Sequence, residues 1–239
     1  MKIKLLLIGL AIVALSVGGF AQSVVVTGKK VTYTRPKPTL DYKKTFTINH
    51  PQVRAATPAL SRKIESAISF EKVMPLNIKE EMDEYQWLED ADFEVVYNKD
   101  GALAVQLFME GSAAYPSGSN KTVVVDTRTG SRVRPVDVFV NLKGLASMVR
   151  REQKKEIAAS IKELRKEDEA DPESLFAGAN FKTANLDWFT ISDKGVTFVY
   201  DYGFPHVIQA LQPSGQFTYT WRQLRPYLKR GGLLSRIAH

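Results

Sequence analysis

The fold is decided by one stretch of the chain, residues Tyr115 to Phe139, which reads YPSGSNKTVVVDTRTGSRVRPVDVF. Its first part, Tyr115–Asn120, has the composition of a polar loop, and the β-branched run Thr122–Asp126 that follows is typical of a strand. Thr127–Gly130 then predicts a tight turn into a second short strand, and Asp137 is placed to cap a helix. The stretch therefore predicts a hairpin between a loop and a helix, and it carries no catalytic constellation.

Hairpins and helices of the same kind are predicted on both sides of this stretch. The turn sequences Asn98–Gly101 and Asp193–Gly195 indicate two further hairpins. An N-cap at Thr57 predicts a helix that ends near Phe70, and a 3.6-residue apolar period predicts a long helix from Leu142 to Lys166. The remaining predicted elements are strands at Ser23–Thr34, Tyr42–Ile48 and Gln216–Trp221 and helices at Leu76–Leu88 and Leu224–Leu228. We therefore predict an α+β fold, in which an antiparallel sheet built from hairpins packs against the long helix and the shorter N-terminal helix.

The N-terminus is typical of a secretory signal peptide over residues 1–21. Lys2 and Lys4 precede the apolar run Leu5–Val17, and the small residues Gly19 and Ala21 stand where a signal peptidase reads them. The alternative, an uncleaved anchor, has a run that is short for a bilayer span of about 20 residues. We therefore predict a soluble protein that is periplasmic or secreted, with no stable membrane span after signal cleavage.

The predicted mature chain divides into an N-terminal strand and proline-containing linker (22–44), an α+β domain (45–228) and a basic flexible tail (229–239). The sequence has no cysteine, which excludes disulfides, thiol redox chemistry and thiolate zinc sites. The formal net charge is +7, of which two charges leave with the signal peptide. This modest excess favours an anionic envelope surface over nucleic acid as a partner, or serves solubility alone.

Residues that could perform catalysis are few. The three histidines, His50, His206 and His239, lack the spacing of a zinc site, so no metal or cofactor is expected. Ser117 has no histidine assigned to it by any motif. One catalytic arrangement stays open, in which Asp201 and His206 act as an acid/base pair. Aromatic residues at strand ends form either a binding surface or part of the core; these are Tyr115, Tyr202, Phe204 and Trp221.

Several short motifs occur in an order and spacing that resemble one known family. The motifs are Ile48–Val53, Phe93–Tyr97 with Leu103–Leu107, Val125–Gly130, Pro135–Phe139, Phe189–Tyr200 and the pair Phe204-Pro205. Together they are similar to the RsiV-like domain family, an extracytoplasmic α+β module, over about Thr45 to Leu228. The family forms the outer part of a lysozyme-sensing anti-sigma factor and stands beside the catalytic domain of some peptidoglycan deacetylases. The family's histidine-containing loop is replaced here by Ala114–Ser119, which departs from the pattern of its ligand contacts.

The resemblance implies a non-enzymatic binding module of the bacterial cell envelope, recognising a protein such as lysozyme or a peptidoglycan-like glycan. Its expected binding residues are Tyr115, Pro116, Ser117, Asn120, Phe204 and His206. One alternative is an envelope-polymer hydrolase, or a deacetylase-associated protein, that uses Asp201 and His206. Another is a structural periplasmic protein that docks through the basic face of the long helix. That face carries Arg150, Arg151, Lys154, Lys155 and Lys162.

Overall fold

The structure is a computed structural model that describes residues 23–166 and 171–238. The predicted signal peptide lies outside the described residues. Within the described ranges, we find no helix with the length and apolar character needed to cross a bilayer.

Six strands form the larger of two sheets. They are β1 (Val25–Thr34), β2 (Thr45–Arg54), β3 (Leu88–Lys99), β4 (Ala102–Ser112), β5 (Pro116–Asp126) and β6 (Ser131–Arg132), adjacent in that order. All pairs are antiparallel except β2 and β3, which are parallel. The predicted turn between β3 and β4 is confirmed, with positive φ at Asp100 (55°) and Gly101 (81°), as a two-residue hairpin turn requires.

Helices make the parallel connection and cover the sheet. The crossover from β2 to β3 contains α1 (Pro58–Ala67), α2 (Phe70–Val73) and α3 (Ile78–Asp83). The N-cap predicted at Thr57 is confirmed, since its side chain accepts a hydrogen bond from the Leu60 N–H at 3.2 Å. Helix α1 is therefore fixed at the entry to the crossover that a parallel strand pair needs.

The C-terminal part adds the long helix and the second sheet. In chain order it comprises α4 (Pro135–Val138), α5 (Leu142–Leu164), α6 (Pro172–Phe176), β7 (Phe189–Ser192), β8 (Gly195–Val199), β9 (Gln216–Thr220), α7 (Trp221–Leu224) and α8 (Leu233–Ile237). Strands β7, β8 and β9 form a separate antiparallel sheet. The α+β fold class and the long helix are confirmed, whereas the single sheet expected from the hairpins is divided into two.

Strand β4 separates two hydrophobic cores. Ala102 and Ala104 face a core that includes Leu145 of α5, while Leu103 and Val105 face a core that includes Ile64 of α1. Successive side chains of a strand point to opposite faces, so a run that is apolar at every position is buried on both sides. From Gln106 onward the face toward α5 is no longer covered, and this open end of the sheet positions the site described below.

Three sequence predictions are wrong in their bounds. The polar segment after Tyr115 is not a loop, because Pro116 already begins β5 and Asn120 pairs with Phe108. The helix predicted at Leu76–Leu88 is limited to α3, since Leu88 already belongs to β3. The strand predicted at Tyr42–Ile48 is shifted, and β2 ends at Arg54. In each case pairing with a neighbouring strand overrides the local preference of the segment.

The predicted flexible tail is also wrong where the structure describes it. Leu233, Leu234 and Ile237 of α8 are buried in the core that also contains Leu145 of α5. The backbone N–H of Lys229 donates to the Val138 carbonyl at 2.8 Å, which holds the approach to this helix. The apolar triplet at helical spacing stabilises the segment through burial, despite the adjacent glycines and basic residues.

Lys43 and Glu89 form an ion pair at one end of the sheet whose effect on stability depends on pH. The Lys43 Nζ donates to Glu89 Oε1 at 2.7 Å and to the Ser112 carbonyl at 2.7 Å. Hydrogen bonds from Lys43, and then from Ser112, lower the pKa of Glu89 below its ordinary value of 4.5. A lowered pKa contributes stability above pH 4.5 that is lost as the pH falls through the lowered value.

We expect Glu89→Gln to lower the free energy of unfolding by at most about 1 kcal/mol at pH 7, because Glu89 is partly exposed. The difference from the parent should be smaller at a second pH value well below 4.5, because the parent's carboxylate also takes up a proton as the pH falls. Urea unfolding at the two pH values measures this. Glu84→Gln, outside the ion pairs of residues 23–166 and 171–238, is the matched control. An equal loss at both pH values would show that packing, and not charge, is responsible.

Candidate functional site

Two segments that are distant in sequence meet at the start of β5. The His206 Nε2 lies 2.8 Å from the Pro116 carbonyl oxygen, and the His206 ring stacks on Tyr115 with centroids 5.3 Å apart. Tyr115 is 63 % exposed and His206 is exposed as well. Both residues were predicted from the sequence as binding residues, but the sequence does not show that they lie together. We call Tyr115, Pro116 and His206 the aromatic rim.

The loop that leads to His206, the first residue of a short 3-10 helix (His206–Leu211), is held by two polar side chains. The Asp201 Oδ1 accepts hydrogen bonds from the Gly203 N–H at 2.9 Å and from the Gln212 Nε2 at 3.1 Å. Gln212 in turn accepts from the Phe204 N–H at 2.9 Å. Gly203 has a φ of 68°, which a glycine adopts without steric cost. Asp201 therefore fixes the shape of the loop.

Phe204 anchors this loop from below. Its ring lies against Phe176 with centroids 5.2 Å apart, and it belongs to a small core with Leu164 of α5. The expectation that Phe204 contacts a ligand does not fit this position, since its side chain is buried. A phenylalanine between a glycine and a proline can be exposed or buried. Here residues of α5 and α6 cover it, and the sequence alone does not show this contact. Phe204 acts by holding His206 against β5.

The acid/base pair proposed for catalysis is not assembled. Both hydrogen bonds of the Asp201 carboxylate go to its own loop, and the imidazole of His206 contacts a backbone carbonyl. Among the described residues, no hydrogen bond or ion pair joins Asp201 to His206. A general base needs a contact with the group whose proton it moves. This geometry supports positioning of the loop and gives no support to hydrolysis.

Ser117 and Asn120 are exposed on the first half of β5, and both are held by neighbours. The Ser117 Oγ accepts a hydrogen bond from the Trp87 Nε1 at 2.9 Å, and the Asn120 Oδ1 accepts from the Gln106 Nε2 at 3.2 Å. Among the described residues, no hydrogen bond joins the Ser117 hydroxyl to a histidine or carboxylate, and the amide N–H groups of Asn120 make none. Both suit a contact surface.

A hollow of 440 Å³ begins two residues from the rim, on the face of the sheet that α5 leaves open. Its lining comprises Asp90, Asp92, Phe108, Met109, Glu110, Gly118, Ser119 and Asn120. Strand register explains the arrangement. Asp92, Phe108 and Asn120 form one row across β3, β4 and β5, and Asp90, Glu110 and Gly118 form the next. Side chains directly opposite in neighbouring strands share a face, so each row forms part of one surface.

This open face is acidic, and its carboxylates lack cationic partners. Asp90, Asp92 and Glu110 line the hollow, and Glu94 follows on the same face by register. None of the four forms an ion pair with another residue of the part that the structure describes. Asp92 accepts only neutral hydrogen bonds, one of them from the Asn49 Nδ2 at 2.9 Å. We call these four carboxylates the acidic face.

Two features of the acidic face do not stabilise the fold. Asp90 and Glu110 are directly opposite in register, and like charges so placed destabilise a sheet. Phe108, at the centre of the hollow, is 36 % exposed. The described residues contain no group of carboxylates and histidines able to hold a metal ion. The arrangement can bind a positively charged partner and cover its apolar centre.

The sequence interpretation missed the acidic face. Its signal is present in β4, where Gln106, Phe108 and Glu110 continue the face of Ala102 and Ala104 with larger and more polar side chains. Such alternation indicates the point at which one side of a strand becomes exposed. The row partners on β3 and β5 depend on register, which needs the structure.

The basic face of α5 is a separate surface. Arg151, Lys154 and Lys155 are exposed, and Lys155 pairs with Glu152 at 2.9 Å. Near the helix end, Lys166 pairs with Glu163 at 2.6 Å. Pairs of this type on one helix face are ordinary for a solvated helix. They give no particular support to docking through this helix.

The comparisons with known proteins show the fold. No known family profile matches the sequence, and no curated protein matches it. Two crystal structures of DUF3298 family proteins share the fold. One, from Bacteroides fragilis, has a TM-score of 0.58 and 12 % identity, covering 92 % of this chain and 99 % of its own. The other, from Pseudomonas aeruginosa, has a TM-score of 0.52 and 13 % identity, with coverages of 89 % and 97 %. The structural neighbours are thus members of a family whose name denotes a domain of unknown function.

Proposed function

We propose that this chain is an exported, non-enzymatic binding module of the bacterial cell envelope, related to the RsiV-like domains. Its partner is a basic protein, of which lysozyme is the test case. The acidic face carries this proposal, because three of its carboxylates line a hollow around an exposed phenylalanine on a chain that is basic as a whole. None of its four carboxylates has an ion-pair partner in residues 23–166 and 171–238.

The chemistry of this surface favours a protein with exposed arginine or lysine. Asp92 is opposite Phe108 on β3, and Glu110 lies two residues along β4, so a cationic side chain can pair with either carboxylate while its aliphatic part covers the ring. Complementary charge also raises the rate of encounter and penalises anionic competitors. The aromatic rim adds the flat, exposed ring of Tyr115 at the edge of the same surface.

A glycan is the second candidate, and the rim is the observation that favours it. Tyr115 and His206 present stacked rings beside the free amide of Asn120, a combination that suits sugar faces and hydroxyls. A glycan without charge gains nothing from the carboxylates of the acidic face, so its binding would depend little on the salt concentration. Salt dependence therefore distinguishes the two ligands.

Isothermal titration of the purified protein with lysozyme, and separately with soluble peptidoglycan fragments, tests the proposal. We expect lysozyme to bind, with an affinity that falls by about tenfold or more when the salt concentration is raised from 0.05 to about 0.5 M. Tyr115→Ala should weaken binding by about five- to tenfold, because an exposed aromatic at an interface edge contributes about 1 kcal/mol. Tyr42→Ala is the matched control, since Tyr42 is equally exposed on another part of the surface. Failure to bind lysozyme at either salt concentration would reject the proposal, and salt-independent binding of the fragments would establish the glycan.

A further inference from the structure

A second hollow lies on the opposite face of the six-stranded sheet, where β1 and β2 meet α1 and α2. Its volume is 490 Å³, within the range of small-molecule sites. Tyr33 and His50 reach it from the strands, and Arg62 and Glu71 reach it from the helices. Tyr33 and Phe46 face the core beside α1, whereas Phe108 faces the other way. This hollow is therefore separate from the acidic face.

A phenol and an imidazole are paired in it. The Tyr33 hydroxyl lies 3.0 Å from the His50 Nε2. The Tyr33 ring is stacked on the buried Phe46 ring, with centroids 4.9 Å apart and planes within 8°. Burial, and then the Glu71 carboxylate, raise the pKa of Tyr33, so the phenol keeps its proton at neutral pH. Among the described residues, the second ring nitrogen of His50 has no hydrogen-bond partner.

The hollow also carries charges of both signs that do not pair with each other. Lys29 from β1 and Arg62 from α1 have no carboxylate within ion-pair distance in the described part of the chain, and Glu71 has no cation there. The other carboxylate, on Glu65, accepts the Val53 N–H at 2.8 Å. Charged groups of opposite sign in one hollow ordinarily form a bridge, so their separation leaves each able to bind a ligand group.

We infer that this hollow binds a small zwitterion, namely an amino acid or short peptide with a free carboxylate and a free ammonium group. Lys29 and Arg62 bind the carboxylate, and Glu71 binds the ammonium group. Tyr33 and His50 form hydrogen bonds with the polar atoms between them. A purely anionic ligand would meet Glu65 and Glu71, and a purely cationic one would meet Lys29 and Arg62.

Titration of the full-length protein with alanyl-alanine, followed by NMR of the histidine and tyrosine rings, tests the inference. The control ligand is N-acetyl-alanyl-alanine amide, which has the same backbone without either charge. We expect the free dipeptide to shift the His50 and Tyr33 ring signals in a saturable manner and the blocked dipeptide to leave them unchanged. No saturation at about 10 mM, an equal effect of the blocked peptide, or equally tight binding of acetate alone would overturn the inference.

Paired variants identify the charges involved. Arg62→Gln and Glu71→Gln should each weaken dipeptide binding by about tenfold or more, since each removes one charge-assisted contact. Arg54→Gln and Glu84→Gln, which make the same changes outside the hollow, should bind as the parent does. Tyr33→Phe retains the stacked ring and removes only the hydroxyl. A loss of dipeptide binding in this variant would therefore report the hydroxyl and not a change in packing. Unaltered affinity in Arg62→Gln or Glu71→Gln would contradict the inference. Substitutions on the acidic face should leave dipeptide binding intact, so this inference and the proposed function can fail independently.

Discussion

Replacing Arg35 with alanine is expected to lower the free energy of unfolding by about 3–5 kcal/mol, a large part of the roughly 5–15 kcal/mol that stabilises a typical domain. Arg35 stands directly after β1 and is only 2 % exposed. Its guanidinium donates to the backbone carbonyls of Glu81, Lys43 and Leu88, each at 2.8 Å. Three segments of the chain are therefore joined by one side chain.

The size of this effect follows from what the substitution leaves behind. Each carbonyl would lose its donor while remaining buried, and an unsatisfied buried acceptor costs about 1–3 kcal/mol. The Glu81 carboxylate, 3.5 Å from the guanidinium, would lose its cation, and the Phe46 ring would lose the group that lies 4.6 Å above its centroid. Part of the loss is offset because Glu81 still accepts the Leu88 N–H at 2.8 Å.

Denaturant unfolding of the parent and of three variants measures this prediction. Arg35→Lys should also be strongly destabilised, since an ammonium group cannot reproduce the planar array of donors. Arg54→Ala, at an exposed strand end, should change the unfolding free energy by no more than about 0.5 kcal/mol. A loss below about 1 kcal/mol for Arg35→Ala would mean that water replaces the guanidinium and that Arg35 does not hold the three segments together.

Arg35 also illustrates what the sequence could not predict. It stands in an Arg-Pro-Lys-Pro segment whose composition is that of an extended linker, and this interpretation placed residues 22–44 outside the domain. The segment is bent at Pro36 and Lys37, and the strand before it pairs with β2 over its whole length, from Val25 with Arg54 to Thr34 with Thr45. The extended linker predicted from composition is therefore wrong here, and composition gave no information on which distant carbonyls surround the guanidinium.

The features that depend only on residues adjacent in sequence could be predicted. The turn at Asp100-Gly101 requires positive φ, and the start of α1 requires a cap such as Thr57, so both could be located from neighbouring residues alone. The first half of β5 and the helix α8 could not be, because their sequences are polar or interrupted by glycine. The first half of β5 is ordered by pairing with β4, and α8 is ordered by burial in the core that it shares with α5.

The candidate site divides in the same way. Tyr115 and His206 were predicted individually, but their stacking needs the loop geometry that Asp201 and Gln212 impose. The acidic face was missed because Glu110 of β4 becomes a neighbour of Asp90 and Asp92 of β3 only through register. The alternation within β3 and β4 indicates an exposed side of each strand, but it does not show that the two sides form one surface.

Replacing both Asp92 and Glu110 with lysine is expected to weaken lysozyme binding by at least about 100-fold, because each substitution turns an attraction into a repulsion at the centre of the proposed interface. The same titration at low salt measures it. A matched control with the same change in net charge is Asp83→Lys with Glu84→Lys, at the exposed end of α3. This control should bind within about threefold of the parent, since exposed charges away from an interface are screened.

The single change Glu110→Gln separates binding from stability on the same surface. It removes the charge opposite Asp90, so we expect the free energy of unfolding to rise by about 0.2–1 kcal/mol while lysozyme binding weakens. A residue retained only for the fold would show the opposite sign, with stability falling on substitution. If Glu110→Gln destabilises the protein and the double lysine variant still binds as its control does, the carboxylates serve the sheet and not a partner. If Glu110→Gln instead stabilises the protein and weakens lysozyme binding, the acidic face serves binding and lowers the stability of the fold.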